Sequence, residues 1–142
     1  MEIRLENKEK HNKISNIFLK GKKTLCIDFD GTICPWNYPG ESEPYQEAIK
    51  TIRELKSIGF IIIISSCRTS SELNNNVRTT NDQIKFIEEY MKKYNIPYDY
   101  IDDGKQGKII ANAYIDDCAI EFNPDSNKHW DYVLEQCKRR FC

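Results

Sequence analysis

No apolar stretch in this chain is long enough to span a bilayer. The longest run, Phe60–Ile64, falls far short of the roughly 20 residues a membrane helix needs. The opening residues, Met1-Glu-Ile-Arg-Leu-Glu-Asn-Lys, lack the apolar stretch of a secretory signal. Neither sign of charge dominates: 21 Lys and Arg against 22 Asp and Glu leave a net charge of -1, which argues against a dedicated nucleic-acid coat or polybasic membrane binder. There are no internal repeats and no low-complexity tract, and the Asn74-Asn75-Asn76 triplet reads as a loop. Histidines are scarce, and neither His11 nor His129 stands at ligand spacing from a cysteine. No Cys-x-x-Cys pair exists either, which argues against a zinc site. The cysteines at 26, 34, 67, 118, 137 and 142 invite a disulfide reading, but Cys26 and Cys67 lie in or beside strand-like runs and no leader points to an oxidising compartment. The expected address is the cytosol, with reduced thiols.

What is present suits one domain. A chain of 142 residues can bury roughly two-thirds of its unfolded surface, enough for a single core without staples. Strand-like and helix-like segments alternate, the pattern of an α/β domain with a mostly parallel sheet flanked by helices. Residues 1–22 read as an extension, weakly helical and basic over 8–20, and 24–122 as the core. Strands are expected at Thr24–Phe29, Phe60–Ile64, Tyr98–Ile101 and Ala113–Ile115, with a fifth at Ala119–Phe122. The continuous β-branched run Phe60–Ile64 predicts a strand buried on both faces. Ala48, Ile49, Ile52, Leu55 and Ile58 recur at helical spacing, as do Ile84, Ile87, Tyr90, Met91 and Tyr94. Lys108–Asn112 reads as a helical turn or two, and 126–141 as a closing helix.

Three strand ends carry chemistry, where an open α/β sheet places its ligands. In Leu25-Cys26-Ile27-Asp28-Phe29-Asp30-Gly31-Thr32, a strand-like backbone would point Asp28 and Asp30 the same way, and Gly31 would permit a sharp turn with N–H groups near an anion. Adjacent carboxylates repel, so they need a cation or a shared proton. The run Ile61–Ile64 breaks into Ser65-Ser66-Cys67-Arg68, which can offer donors to a phosphate. Lys108 precedes Asp116-Asp117, at the end of an apolar strand, and a lysine there can neutralise a phosphate and a nucleophilic carboxylate together. Each pattern also has a plain reading as a solvated strand end; the combination gives them force.

In these residues the chain resembles the haloacid dehalogenase superfamily of phosphohydrolases. Asp28-Phe29-Asp30-Gly31-Thr32 matches its Asp-x-Asp-Gly-Thr motif; Ser66 (or its neighbour Ser65) fits the second motif, Lys108 the third, and Tyr114-Ile115-Asp116-Asp117 the acidic fourth. The resemblance is to small bacterial and phage members ending in Ile-Asp-Asp-Arg-Ala, with Cys118 standing in the arginine's place. It implies a Rossmann-like fold and a Mg²⁺-dependent phosphatase acting on a phosphorylated small molecule or macromolecular end. Asp28 would be the nucleophile, with Asp30 as acid and then base. Mg²⁺ would lie between Asp28, the backbone carbonyl of Asp30 and Asp116, with Asp117 bound directly or in its outer shell. Ser66 and Lys108 would hold the transferring oxygens, aided by Gly31, Thr32 and Ser65. Arg68 reads equally as a phosphate clamp or as half of a salt bridge.

Only Ile33–Glu43 separates the first motif from its helix, room for a flap and not for a cap domain. The aromatic and proline-rich stretch Cys34–Gly40 could line the pocket mouth or simply pack on the sheet edge. A second subunit could close such an open site. Ile101-Asp102-Asp103-Gly104 is a competing acidic strand end; choosing Asp116/Asp117 instead uses every α/β unit and leaves Asp102 and Asp103 as a solvated strand end. A catalytically silent binding or regulatory domain is the rival from another class. A cysteine phosphatase is excluded, because the residues six places after Cys26, Cys34, Cys67 and Cys118 are Thr32, Gly40, Leu73 and Pro124, never arginine.

Overall fold

The computed structural model describes residues 21–142, so the helical extension expected over residues 8–20 lies outside the described residues. The elements run β1 (Thr24–Asp28), α1 (Gln46–Ser57), β2 (Ile61–Ser65), a 3-10 turn (Cys67–Thr69), α2 (Thr80–Lys93), β3 (Tyr100–Ile101), β4 (Ala113–Ile115) and α3 (Trp130–Phe141). The sheet has the order β3-β2-β1-β4, and every pairing is parallel. This is a Rossmann-like α/β architecture, as the alternating pattern implies. Among the described residues no helix is long and apolar enough to cross a membrane.

The isoleucine run of β2 does what its pattern predicts. Ile62 and Ile64 face a cluster with Leu25 and Ile27 of β1, Ile52 of α1, and Ile84, Ile87, Tyr90 and Met91 of α2. Ile61 and Ile63 face the opposite way, against Cys26, Tyr100 and Ile109. Each fully buried isoleucine contributes about 2 kcal/mol of apolar burial. The start of α2 is set by a capping box: the Thr79 hydroxyl accepts from the Asp82 N–H at 3.1 Å while the Asp82 carboxylate accepts from the Thr79 N–H at 3.0 Å. Asn95, with φ of 53°, turns the chain out of α2 toward β3.

Two expected elements are absent. Residues 108–112 form no helical turn; they lack regular structure and bury Ile109 against one face of the sheet. The cause is a double tie to β1, since the Asn112 N–H donates to the Thr24 carbonyl and the Asn112 side chain accepts from the Thr24 N–H, both at 2.8 Å. Residues 119–122 form no strand. Asn123 and Lys128 close a turn by an N–H to carbonyl bond of 2.8 Å, and Lys128 pairs with Glu121, so this stretch folds on itself and not on β4.

Candidate functional site

Parallel pairing sets equivalent residues of neighbouring strands side by side on one face. Ile27 pairs with Ile64 and Ile115, and Ile64 with Ile101. One residue further Asp28 pairs with Ser65, and the same register carries Asp102 and Asp116 to that level. A polar row, Asp102–Ser65–Asp28–Asp116, therefore crosses the carboxyl edge of all four strands. All four residues line one cavity of about 190 Å³, together with Lys108, Cys26 and Tyr114. Lys108 comes from the loop under the sheet, its ammonium 4.8 Å from the centre of the Tyr114 ring. The Tyr114 hydroxyl in turn donates to the Ile109 carbonyl.

The turn after β1 knits Asp28 to the end of β4. The Thr32 hydroxyl donates to Asp28 Oδ2 at 3.2 Å and accepts from the Asp117 N–H at 3.1 Å. Gly31 has φ of 84°, and a Cβ there would sit 2.4 Å from Asp117 Oδ2. Only glycine meets both the conformation and the approach. Burial first, then the charge of Asp116 and a hydrogen bond with Asp117, raise the Asp28 carboxyl from 3.8 to about 7. Three carboxylates brought this close together offer a hard oxygen donor set. Asp116, Asp117 and Cys118 also each place a ligand atom within 4.8 Å of one another. Cys26 lies on the same face, one alternation before Asp28, and its burial pushes the thiol up to about 11.

Other expected residues sit differently. Asp30 does not line the cavity beside Asp28. β1 ends at Asp28, so strand alternation no longer aligns the two, and the Asp30 carboxylate is buried against Arg68. Of the two roles open to Arg68, the structure supplies the salt bridge in place of an exposed phosphate clamp. Ser66 caps the 3-10 turn, its hydroxyl accepting from the Arg68 N–H at 3.1 Å, and the serine in the cavity wall is Ser65. Asp102 and Asp103 are 7% and 5% exposed, so this strand end is buried and not solvated. Gly104 and Lys105 N–H groups satisfy their carboxylates locally, and Asp102 also accepts from the Ser65 hydroxyl at 3.4 Å. The signal that could have placed Asp102 in the site is its position one residue past an apolar strand, the same place that Asp28 and Asp116 hold.

No family model matches the chain, and no curated protein matches it. Among solved structures it is similar to a conserved protein coded by a locus of Bacteroides thetaiotaomicron, with a TM-score of 0.54 and 22% identity over 86% of this chain and 94% of that one. It is also similar to a protein from Vibrio cholerae, with a TM-score of 0.52 and 28% identity over 82% of this chain and 98% of that one. Neither description names an activity; the likeness supports the α/β fold at this chain length.

Proposed function

We propose that this protein is a phosphomonoester hydrolase that works through an aspartyl-phosphate on Asp28, in the manner of the haloacid dehalogenase superfamily. The observation that carries the reading is the polar row: Asp28 and Asp116 side by side at the sheet edge, with Asp117 against the Gly31 turn and Lys108 in the same cavity. Burial first, and then the neighbouring Asp116 and Asp117, raise the proton affinity of Asp28, and a cluster of carboxylate oxygens of this kind suits a hard divalent ion such as Mg²⁺. Asp28 and Asp116 would hold that ion, with Asp117 beside them and the Asp30 carbonyl as a further oxygen. Its chemistry would be to neutralise the acidic cluster and the phosphate oxygens together.

The chain's own residues supply the rest. An Asp28 oxygen attacks phosphorus, the bond to the leaving oxygen breaks, and Asp30 delivers a proton to that oxygen. Water then attacks the acyl phosphate and gives its proton to Asp30, freeing phosphate and Asp28. Thr32 orients Asp28 through its hydroxyl bond, and Lys108 and Ser65 face the transferring oxygens.

The rival reading, a domain that binds a phosphorylated ligand without turning it over, draws on one observation: Asp30 lies outside the cavity lining. A phosphate-release screen with Mg²⁺ over nucleotides, sugar phosphates, phosphopeptides and 3′-phosphorylated DNA separates the two. Release that stops in excess chelator supports the hydrolase. Saturable binding of these compounds with no release under any condition supports the rival.

A further inference from the structure

Arg68 is the residue whose burial the proposed chemistry leaves unexplained. It is 2% exposed, and its side chain forks onto both oxygens of one carboxylate: Nε donates to Asp30 Oδ2 at 2.7 Å and Nη2 to Asp30 Oδ1 at 2.9 Å. The same guanidinium donates to the carbonyl of Gly40 at 2.6 Å and to that of Pro39 at 3.3 Å. The rings of Phe86, Tyr38 and Phe29 surround it, with centres 4.5, 5.2 and 5.6 Å from the guanidinium carbon. One side chain thus grips the carboxylate that follows β1 and the Pro39–Gly40 stretch of the loop after it, from a turn that follows β2.

Stability alone is a poor reason for this arrangement. Two charges withdrawn from water recover little net energy, and a well-packed apolar pair in their place is commonly as stable or more so. What a bidentate fork provides that an apolar pair cannot is geometry, because it fixes the plane of the carboxylate as well as its position. Proton transfer demands such control, since a donor held within about 0.5 Å of its productive place works and one left loose does not.

We infer that Arg68 is a positioning residue for the proton-transfer step: it orients Asp30 toward the leaving oxygen and locks the Tyr38–Gly40 loop beside it. The inference rests on the proposed phosphatase reading. It differs from a purely structural staple in what it predicts. A staple, once loosened, lowers turnover on all substrates alike. A misdirected proton donor slows most those substrates whose leaving group needs the proton.

The test compares Arg68→Lys with wild type on p-nitrophenyl phosphate, whose leaving group departs unprotonated, and on an alkyl phosphate, whose leaving group does not. With the fold confirmed by circular dichroism, kcat on the alkyl substrate should drop roughly tenfold further than on the aryl one, with KM changed little on either. In an Asp30→Asn background the substitution should add less than about twofold, because its target is gone. Guanidinium ion added to Arg68→Ala should restore part of the alkyl activity. Equal proportional losses on both substrates, or a full additional loss in the Asp30→Asn background, would overturn the assignment. If neither variant folds, the wild type labelled with ¹⁵N-arginine decides. Beryllofluoride with Mg²⁺ should shift the Arg68 Nε–H resonance, and an unmoved resonance with bound beryllofluoride refutes the coupling. Wild-type protein that releases phosphate from nothing in the screen takes down the phosphatase reading and this inference with it, whereas active wild type with equal losses takes down this inference alone.

Discussion

Replacing Asp28 by asparagine should stabilise the metal-free protein, and by an amount that grows with pH. Burial and the neighbouring Asp116 and Asp117 raise the Asp28 carboxyl from 3.8 to about 7. Between those two pH values the folded protein keeps a proton that the unfolded chain has released. Stability therefore falls as pH rises through this window, and the full loss is present above about pH 7. At about 1.4 kcal/mol per tenfold change in proton affinity, the ceiling is roughly 4 kcal/mol. Asp28 is only partly buried and its acidic neighbours are exposed, so solvent screening brings the expectation down to about 1–2 kcal/mol. For a domain of this size that corresponds to about 3–8 °C in Tm. The assay is thermal unfolding of wild type and Asp28→Asn in chelator at pH 4.5 and pH 8. The variant should melt higher at pH 8 and level with wild type at the lower pH. Added Mg²⁺ should then raise the wild type more than the variant, because only the wild type holds the complete donor set. A variant that melts below wild type at pH 8 without metal would refute the clustering on which the site is built.

Three further outcomes follow from the same geometry. Gly31→Ala should destabilise the protein by at least about 1–2 kcal/mol from backbone strain alone, and should also weaken Mg²⁺ binding because the new Cβ displaces Asp117; calorimetric titration and melting together check both halves. Thr32→Val, which removes the hydroxyl between Asp28 and the Asp117 N–H, should lower turnover while leaving the fold intact, and unchanged kcat would show that the bridge positions nothing. In native protein a soluble thiol reagent should modify exposed Cys67 well before buried Cys26, whose thiol is pushed up to about 11, and equal rates in a peptide-resolved time course would contradict the packing.

The elements that were legible in the sequence are those in which local pattern and tertiary role agree. The β2 isoleucine run is buried on both sides, and Ala113–Ile115 pairs with β1 so that Asp116 comes up beside Asp28. The expected alignment of Asp30 with Asp28 failed because the alternation rule holds only inside a strand, and β1 stops at Asp28. Arg68 could not be assigned because its partners, Asp30 and the carbonyls of Pro39 and Gly40, lie 38, 29 and 28 residues away, with no pattern linking them. Residues 108–112 carry a helix-compatible composition, but two hydrogen bonds between Asn112 and Thr24 tie the end of the segment to β1, and Ile109 packs against the sheet. Asp102 and Asp103 look like any polar strand end, yet both are buried, with their carboxylates satisfied by the N–H groups of Gly104 and Lys105.

The central claim is that Asp28 becomes covalently phosphorylated. Rapid quenching of the enzyme with a turned-over substrate and Mg²⁺, followed by borohydride reduction and peptide mass spectrometry, tests it most directly, because reduction converts an aspartyl phosphate to homoserine at the modified position. The account predicts homoserine at position 28, dependent on substrate and absent from Asp28→Asn. Sustained phosphate release with position 28 unmodified, or with the phosphoryl group trapped on another residue, would contradict it.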